Sequence, residues 1–282
     1  MKVVFFGNTK YSLIGAEIIH NELGLSYIVT IPASPLQLFA VNQQIPFLTL
    51  EKLDKSTTKH IISLKPDFLI VEDYGLILSN ELLKVPKYDS LNIHHSLLPK
   101  YRGPSPAPST ILAGEKVSGV SIIHMTDKVD AGDVYAQKEY VLNPNETTDS
   151  LLKTLNLLGG KLVVEVIKNI VKQKANPKKQ NEQEATYTKY MKKSDGFIDL
   201  NNPPSPQNLN IMIRAFYPWP GVWFKTRLSD RILTIKLLPE QKIQVEGKKP
   251  MSYKDFINGY KEGKNLLDPL DQLACSEPAE SD

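Results

Sequence analysis

The chain has 282 residues, of which 41% are hydrophobic and 23% are charged, as is ordinary for a globular protein. Its single cysteine, Cys275, excludes an internal disulfide and gives no reason to expect an oxidising compartment. The apolar run at Val3–Phe6 is too short for an export signal, and no stretch approaches the roughly 20 apolar residues that span a bilayer, so we expect a cytoplasmic protein without membrane contact.

Charge is unevenly distributed along the chain. Residues 1–150 contain 13 basic and 16 acidic side chains, and residues 151–264 contain 21 basic and 10 acidic ones. Residues 265–282 contain no basic and five acidic side chains. The basic middle segment suggests a polyanionic partner, although charge alone favours a solvated, lysine-rich surface.

Apolar runs and helical periodicities alternate along the first 172 residues. They predict strands at 2–6, 27–31, 45–48, 67–71, 90–93 and 119–124, and helices at 12–21, 35–43, 54–64 and 148–172. Such alternation is typical of βαβ units, and continuous apolar runs are typical of strands covered on both faces. We therefore predict an α/β fold with a doubly wound, mostly parallel sheet in a first domain at residues 1–175.

The pattern changes after residue 171. Residues 172–184 are polar and contain Pro177, so we predict a linker at 176–206. A short helix at 207–215 and a hairpin at 223–228 and 231–238, turning at Ser229 and Asp230, predict a small β-rich C-terminal domain at 207–264. Residues 265–282 have too little apolar surface to fold alone, so we predict a disordered acidic tail.

Polar side chains accompany two of the predicted strands. The strand at 90–93 carries Asn92 and leads into His94, and the strand at 119–124 leads into a segment that contains Asp130. Because ligands of α/β sheets bind at the carboxyl ends of the strands, we expect these three side chains to converge in one crevice.

An amide, an imidazole and a carboxylate together suit acyl transfer to an amine. The amide can donate a hydrogen bond to a developing oxyanion, and the imidazole can accept the proton of the attacking amine. The carboxylate can fix the tautomer of the imidazole and favour its charged form. Either motif alone is commonly structural. The sequence has no zinc-ligand spacing, phosphate-binding glycine loop, dinucleotide fingerprint or serine-nucleophile elbow, so we expect no metal.

The segment 92–103, NIHHSLLPKYRG, resembles the signature of the folate-dependent formyltransferases, and the segment 125–133 resembles the second motif of that family. Residues 6–7, 66–67, 74–75, 185–187, 214–221 and 247–259 also resemble the family, so the likeness extends from residue 1 to about 262. Within the family, it is strongest to the members that act on methionyl-tRNA.

The resemblance implies a Rossmann-like formyltransferase fold, with residues 1–175 as its catalytic domain and 10-formyltetrahydrofolate as the co-substrate. It implies that Asn92 polarises the formyl oxygen, that His94 assists deprotonation of the amine, and that Asp130 supports the imidazole. It also implies that the folate lies against four consecutive residues, Ser96, Leu97, Leu98 and Pro99. His95 stands where the family has a small residue, and we expect it to point to solvent without a chemical role.

The acceptor that the resemblance implies is the amino group of initiator methionyl-tRNA. Basic residues between Lys172 and Lys264 are then candidate phosphate contacts, and we expect a monomer. Two departures weaken this assignment: the long basic loop expected after the second strand is missing at 31–35, and the C-terminal domain is shortened. They leave open an N-formyltransferase acting on a nucleotide-linked amino sugar, a hydrolase that releases formate from the folate, and a non-enzymatic RNA-binding protein.

Overall fold

The computed structural model describes residues 1–228, 230–260, 262–264 and 266. The predicted tail at 265–282 lies outside the described residues except for residue 266, and this excluded part contains Cys275. Ser229 also lies outside the described residues. The chain divides into two compact units: unit 1 contains residues 1–107, 116–142 and 151–189, and unit 2 contains residues 108–115, 143–150 and the described residues from 190 onward. The predicted boundaries at residues 175 and 206 stay a prediction.

Unit 1 is built on a seven-stranded sheet in the order β3-β2-β1-β4-β5-β6-β7. The pairs from β3 to β5 are parallel, whereas β5 with β6 and β6 with β7 are antiparallel. The predicted mostly parallel sheet is confirmed. The strands are β1 (Val3–Phe6), β2 (Tyr27–Thr30), β3 (Phe47–Thr49), β4 (Phe68–Val71), β5 (Asp89–His94), β6 (Val117–His124) and β7 (Val134–Val141).

Helices cover both faces of this sheet, as a doubly wound fold requires. Neighbouring residues of a strand point to opposite faces, so Val3 and Phe5 pack with α1, α2 and α6, whereas Val4 and Phe6 pack with α3 and α4. This double burial explains why the strands appear in the sequence as continuous apolar runs. Along this part of the chain the helices are α1 (Ser12–Leu23), α2 (Pro35–Asn42), α3 (Lys55–Ser63), α4 (Asn80–Leu83), α5 (Pro106–Leu112) and α6 (Thr148–Val171); residues 108–112 of α5 and 148–150 of α6 belong to unit 2.

The connection from β2 to α2 consists of residues 31–34 alone. Ser34 ends it as the N-cap of α2, because its hydroxyl accepts the Gln37 N–H at 3.0 Å, and Pro35 occupies the first helical position. The missing basic loop noted in the sequence therefore corresponds to a tight strand-to-helix turn.

Unit 2 contains a four-stranded antiparallel sheet in the order β11-β10-β9-β8. The predicted hairpin and the β-rich C-terminal part are confirmed: Leu228 pairs with Arg231, and Phe224, Ile235 and Ile243 are buried in the core. The elements are α7 (Pro206–Ala215), β8 (Val222–Leu228), β9 (Arg231–Leu238), β10 (Lys242–Val245), β11 (Met251–Ser252) and α8 (Tyr253–Gly259). Within the described part of the chain, every helix is too short or too polar to cross a bilayer.

Candidate active site

Two of the predicted residues project from β5. Asn92 and His94 are two positions apart on this strand, so their side chains point to the same face of the sheet. Ile93 between them faces the opposite way, into the core formed with α1, α2 and α6. His94 is buried and Asn92 is half-buried.

Asp130 joins them from the loop 125–133, which connects β6 with β7. One carboxylate oxygen, Oδ1, accepts a hydrogen bond from Asn92 Nδ2 at 3.1 Å, and the other, Oδ2, lies 3.5 Å from His94 Nδ1. The structure thus brings the three predicted side chains together in unit 1.

The route by which Asp130 arrives differs from the one we expected. β6 runs antiparallel to β5, with Leu91 opposite His124. The carboxyl ends of the two strands therefore point in opposite directions. The assumption of neighbouring parallel strand ends was therefore wrong. Instead, the β6–β7 loop returns over the face of β5 on which Asn92 and His94 lie.

The carbonyl group of Tyr101 sets the tautomer of His94. Its oxygen lies 3.0 Å from His94 Nε2, and since a carbonyl can only accept, Nε2 carries the proton. In the neutral ring the lone pair is then on Nδ1, beside Asp130. The tautomer-fixing task that we expected of Asp130 thus belongs to Tyr101, while Asp130 is placed to favour a proton on Nδ1.

The surroundings of His94 favour its uncharged form. Burial lowers the pKa of His94 below its ordinary value, and the negative charge of Asp130 offsets only part of this effect. At neutral pH the ring therefore presents a lone pair that can accept a proton.

Backbone and amide groups hold Asp130 in place. The Gly103 N–H donates to Asp130 Oδ2 at 2.8 Å, and the Gln180 side chain donates from Nε2 to the carbonyl oxygens of Asp130 and Gly132 at 2.8 and 2.7 Å. Gln180 Oε1 in turn accepts hydrogen bonds from the guanidinium of Arg102 at 2.9 and 3.1 Å. Sequence reasoning missed Gln180, because it lies in a polar stretch without periodicity.

Residues 180–188, which we call the bridging segment, belong to unit 1 although they fall in the predicted linker. Arg102 N–H donates to the Thr186 carbonyl at 2.8 Å, and Thr188 N–H donates to the Arg102 carbonyl at 2.7 Å. Arg102 is 1% exposed and pairs with Glu182 at 2.8 Å. Gly103 has a φ of 109°, and a methyl group there would overlap Thr188. The segment therefore fixes the loop that follows β5.

The four residues expected to contact folate differ in their exposure. Ser96 and Leu98 are buried, and both are tied to β6: Ser121 donates to the Ser96 carbonyl at 2.6 Å and accepts the Leu98 N–H at 3.1 Å. Leu97 and Pro99 are half-buried. Within this segment, Leu97 and Pro99 therefore have side-chain surface available to a ligand.

His95 does not point to solvent, and that expectation was wrong. Its ring is 3% exposed, with Nε2 3.4 Å from Glu72 Oε1 and Nδ1 3.4 Å from Asp73 Oδ1. Two carboxyl groups at the end of β4 supply partners that its position in the motif did not reveal. Across the described ranges, no set of three or more His, Cys, Asp and Glu side chains is arranged to hold a metal ion, and that none is needed stays a prediction.

Comparison with known proteins connects this geometry to a family. The family profile described as formyl transferase matches residues 29–167. The chain is 30% identical to the methionyl-tRNA formyltransferase of Clostridium tetani over 95% of this chain and 99% of that protein. It is 32% identical to the methionyl-tRNA formyltransferase of Dictyoglomus turgidum, over 93% of this chain and 97% of that protein. A crystal structure of an N-formyltransferase from Helicobacter canadensis, in complex with folinic acid and dTDP-3-aminofucose, has a similar fold, with a TM-score of 0.62 at 19% identity over 87% of this chain and 95% of that one.

Proposed function

Since the chain belongs to the formyl transferase family, we propose that it is an enzyme that transfers a formyl group from 10-formyltetrahydrofolate to the amino group of initiator methionyl-tRNA. The observation that carries this function is the similarity, along nearly the whole chain, to proteins that act on methionyl-tRNA. The assembled Asn92, His94 and Asp130 favour an enzyme over a non-catalytic RNA-binding protein.

Asn92 is the proposed donor to the formyl oxygen. The folate, when bound, supplies a formyl group on nitrogen that a primary amine can take over. The amide of Asn92 has two hydrogens, of which one is directed at Asp130, so the other can donate to the oxygen as negative charge develops there. A donor of this kind is typically worth about 3–4 kcal/mol of barrier.

His94 is the proposed proton acceptor. An amine that adds to the formyl carbon must lose a proton, and the Nδ1 lone pair of neutral His94 can take it. The resulting N–H then lies beside Asp130 Oδ2, whose charge stabilises the imidazolium. The imidazolium can return the proton to the nitrogen that leaves as its bond to the formyl carbon breaks, so the transfer consumes no net acid or base.

The folate is proposed to lie against Ser96, Leu97, Leu98 and Pro99. Ser96 and Leu98 hold the segment to β6 through Ser121, so the backbone is fixed before a ligand arrives. Leu97 and Pro99 then offer apolar surface, which suits the flat ring of a pterin.

Phosphate groups of the tRNA are proposed to contact lysines in the basic half of the chain. Such contacts orient the nucleic acid without reading its sequence. The candidate lysines are all exposed, as this role requires: Lys172, Lys174, Lys178, Lys179, Lys192, Lys193, Lys248 and Lys249.

A nucleotide-linked amino sugar is the second candidate acceptor, and one observation favours it. β2 passes to α2 through residues 31–34, and residues 30–50 contain no lysine or arginine. The basic loop expected of a member that acts on tRNA therefore has no counterpart at this position.

A direct assay tests the proposal. The purified full chain would be incubated with 10-formyltetrahydrofolate and either methionyl-tRNA or an amino-sugar nucleotide, and the formylated product identified by mass spectrometry. We expect formylmethionyl-tRNA. Formylation of the sugar nucleotide alone would transfer the assignment to the second candidate, and a folded protein that formylates neither would overturn both.

A further inference from the structure

A second group of ionisable side chains lies next to the proposed proton acceptor. Glu72 and Asp73 directly follow β4, and His95 directly follows β5 and His94. Because β4 and β5 are parallel neighbours, their carboxyl ends meet at one edge of the sheet. We call Glu72, Asp73 and His95 the buried cluster. The proposed transfer uses none of them.

The geometry of the buried cluster favours a charged His95. Each ring nitrogen faces a carboxyl oxygen, Nε2 at 3.4 Å from Glu72 and Nδ1 at 3.4 Å from Asp73. A carboxylate oxygen accepts hydrogen bonds, and so does the carbonyl oxygen of a neutral carboxyl group, so a ring between two such oxygens satisfies both when both nitrogens carry a proton. That form is the imidazolium.

The surrounding helices leave room for the cluster. Glu72 is fully buried, and Gly15 of α1 lies so close that a methyl group there would overlap its carboxyl group. Asp73 accepts a hydrogen bond from the Thr9 hydroxyl at 3.2 Å. The glycine at position 15 therefore leaves space for the Glu72 carboxyl group, and Thr9 provides a hydrogen bond to Asp73.

Burial and the neighbouring charges together determine which members of the buried cluster are charged. Burial raises the pKa of Glu72 to about 8, and Glu72 Oε2 has no hydrogen-bond partner among the described residues, which an uncharged carboxyl tolerates better. Burial alone would lower the pKa of His95, but the charge of Asp73 and the contacts with both carboxyl groups outweigh it and raise that pKa to about 10. Near neutral pH, the cluster then holds a neutral Glu72, a cationic His95 and an anionic Asp73.

We infer that the buried cluster is a positioning device for His94: the imidazolium of His95, next to His94 in the chain, is a fixed positive charge that adds to the effect of burial and favours the neutral His94 ring, which can accept a proton. Like charges close together disfavour each other, and the charge of His95 lowers the pKa of His94. Asp130 and Asp73 act on His94 in the opposite direction, and the Tyr101 carbonyl holds its Nε2. The role of His94 as a proton acceptor rests on the proposed function.

The test replaces His95 with a side chain of similar size and no charge. In His95→Gln, His94 loses its cationic neighbour and keeps Asp130 and Asp73, so its pKa should rise. Glu72→Gln retains the cation and should shift this pKa less than His95→Gln does. His60→Gln, at an exposed position on α3, is the matched control.

Two readouts separate this inference from the proposed function. NMR titration of histidine rings labelled with carbon-13 reports the pKa of His94 and His95 without turnover, and the pH profile of kcat/KM for formyl transfer reports whether the acid limb moves upward with His94. A purely structural role of His95 would lower stability without moving either. If no acceptor is formylated, the NMR arm still decides the inference.

The expected result in the unmodified protein is a His95 ring that stays charged well above pH 7. Together with a raised His94 pKa in His95→Gln, this result would support the inference. A His95 that titrates near the ordinary value of about 6.5 would overturn it even if the variant fails to fold. A folded variant with an unchanged His94 pKa would overturn it as well.

Discussion

Gln180 holds the backbone of Asp130 from 50 positions further along the chain, through a hydrogen bond of 2.8 Å from its side-chain Nε2 to the Asp130 carbonyl oxygen. Asp130 has a φ of 51°, in the left-handed region that residues other than glycine adopt at a cost. An external hydrogen bond to the carbonyl of such a residue helps to maintain the conformation, and with it the direction of the carboxylate.

Gln180→Ala should therefore reduce kcat by roughly ten- to a hundred-fold, because a displacement of about 1 Å at a reacting group can cost as much as 10²-fold. The KM for the acceptor should change little, since Asp130 is proposed to act on His94 and not to bind the acceptor. Steady-state kinetics on the folded variant would measure this. Gln183→Ala, at an exposed position of the bridging segment, is the control. Equal kinetics of the two variants would remove Gln180 from the catalytic arrangement.

Asn92→Ala, His94→Ala and Asp130→Ala should each fold and lose turnover, by about 10²–10⁴-fold for the proton-transfer group. Asp127→Ala, at an exposed position in the same loop, should retain the activity of the unmodified protein and is the matched control for Asp130→Ala. Single-turnover measurements would keep the chemical step apart from product release. A well-folded Asp130→Ala with near-normal kcat would show that the carboxylate is not needed.

Stability should fall as pH rises above neutrality, because of the buried cluster. In the folded protein the pKa of Glu72 is raised from 4.5 to about 8 and that of His95 from 6.5 to about 10. Glu72 therefore binds an extra proton in the folded protein between about pH 4.5 and 8, and His95 does so between about pH 6.5 and 10. Across this range the free energy of unfolding decreases with rising pH, most steeply between about pH 6.5 and 8, where both groups contribute.

Glu72→Gln should make this decrease shallower, since an amide has the shape of the protonated carboxyl and does not titrate. Urea denaturation at several pH values would give the slope, with Glu17→Gln, at an exposed position of α1, as the control. A difference in stability between Glu72→Gln and the unmodified protein that stays constant with pH would contradict a raised pKa for Glu72.

Leu97→Trp should raise the KM for the folate several-fold, because the larger ring would occupy surface that the half-buried Leu97 is proposed to offer the pterin. The KM for the acceptor should be less affected. Leu157→Trp, at a surface-exposed leucine of α6, is the control for the added ring. Unchanged folate kinetics in a folded Leu97→Trp would place the folate elsewhere.

If the acceptor is a tRNA, salt should weaken its binding to the protein. A patch that makes about four phosphate contacts would lose roughly fifty-fold in affinity between about 50 and 200 mM salt. Lys178→Ala with Lys179→Ala should flatten this dependence and raise the KM for tRNA while sparing kcat. The same double change at Lys55 and Lys59, exposed lysines of α3, is the control. Salt-independent kinetics would favour the amino-sugar acceptor.

The parts of the fold that sequence periodicity predicts are those whose burial is regular. β1 and β4 are apolar on both faces, and their runs in the sequence located them within one residue. β7 was missed because it lies at the edge of the sheet, where Lys138 and Glu139 are exposed and no apolar run forms. The antiparallel direction of the β5–β6 pairing was also missed, because a pattern of buried residues does not encode strand direction.

At the site, the motif located Asn92, His94 and Asp130, but not what holds them. Gln180 and Tyr101 act through a side-chain amide and a backbone carbonyl, which have no signature in a single sequence. The buried cluster did carry a signal. Glu72 and His95 follow two predicted parallel strands, and the rule that ligands and functional groups gather at such carboxyl ends applied to them more directly than to Asp130.

The bridging segment has a consequence for how the protein can be divided into fragments. A polypeptide that ends at residue 175 would retain Asn92, His94 and Asp130, yet it would lack Gln180 and the backbone partners of Arg102. The guanidinium of Arg102 would lose Gln180 and Glu182, which accept its hydrogen bonds. We therefore expect that a catalytic fragment of this chain must extend at least through Thr188, because a shorter one keeps every motif residue and loses the groups that hold Asp130 and the loop after β5.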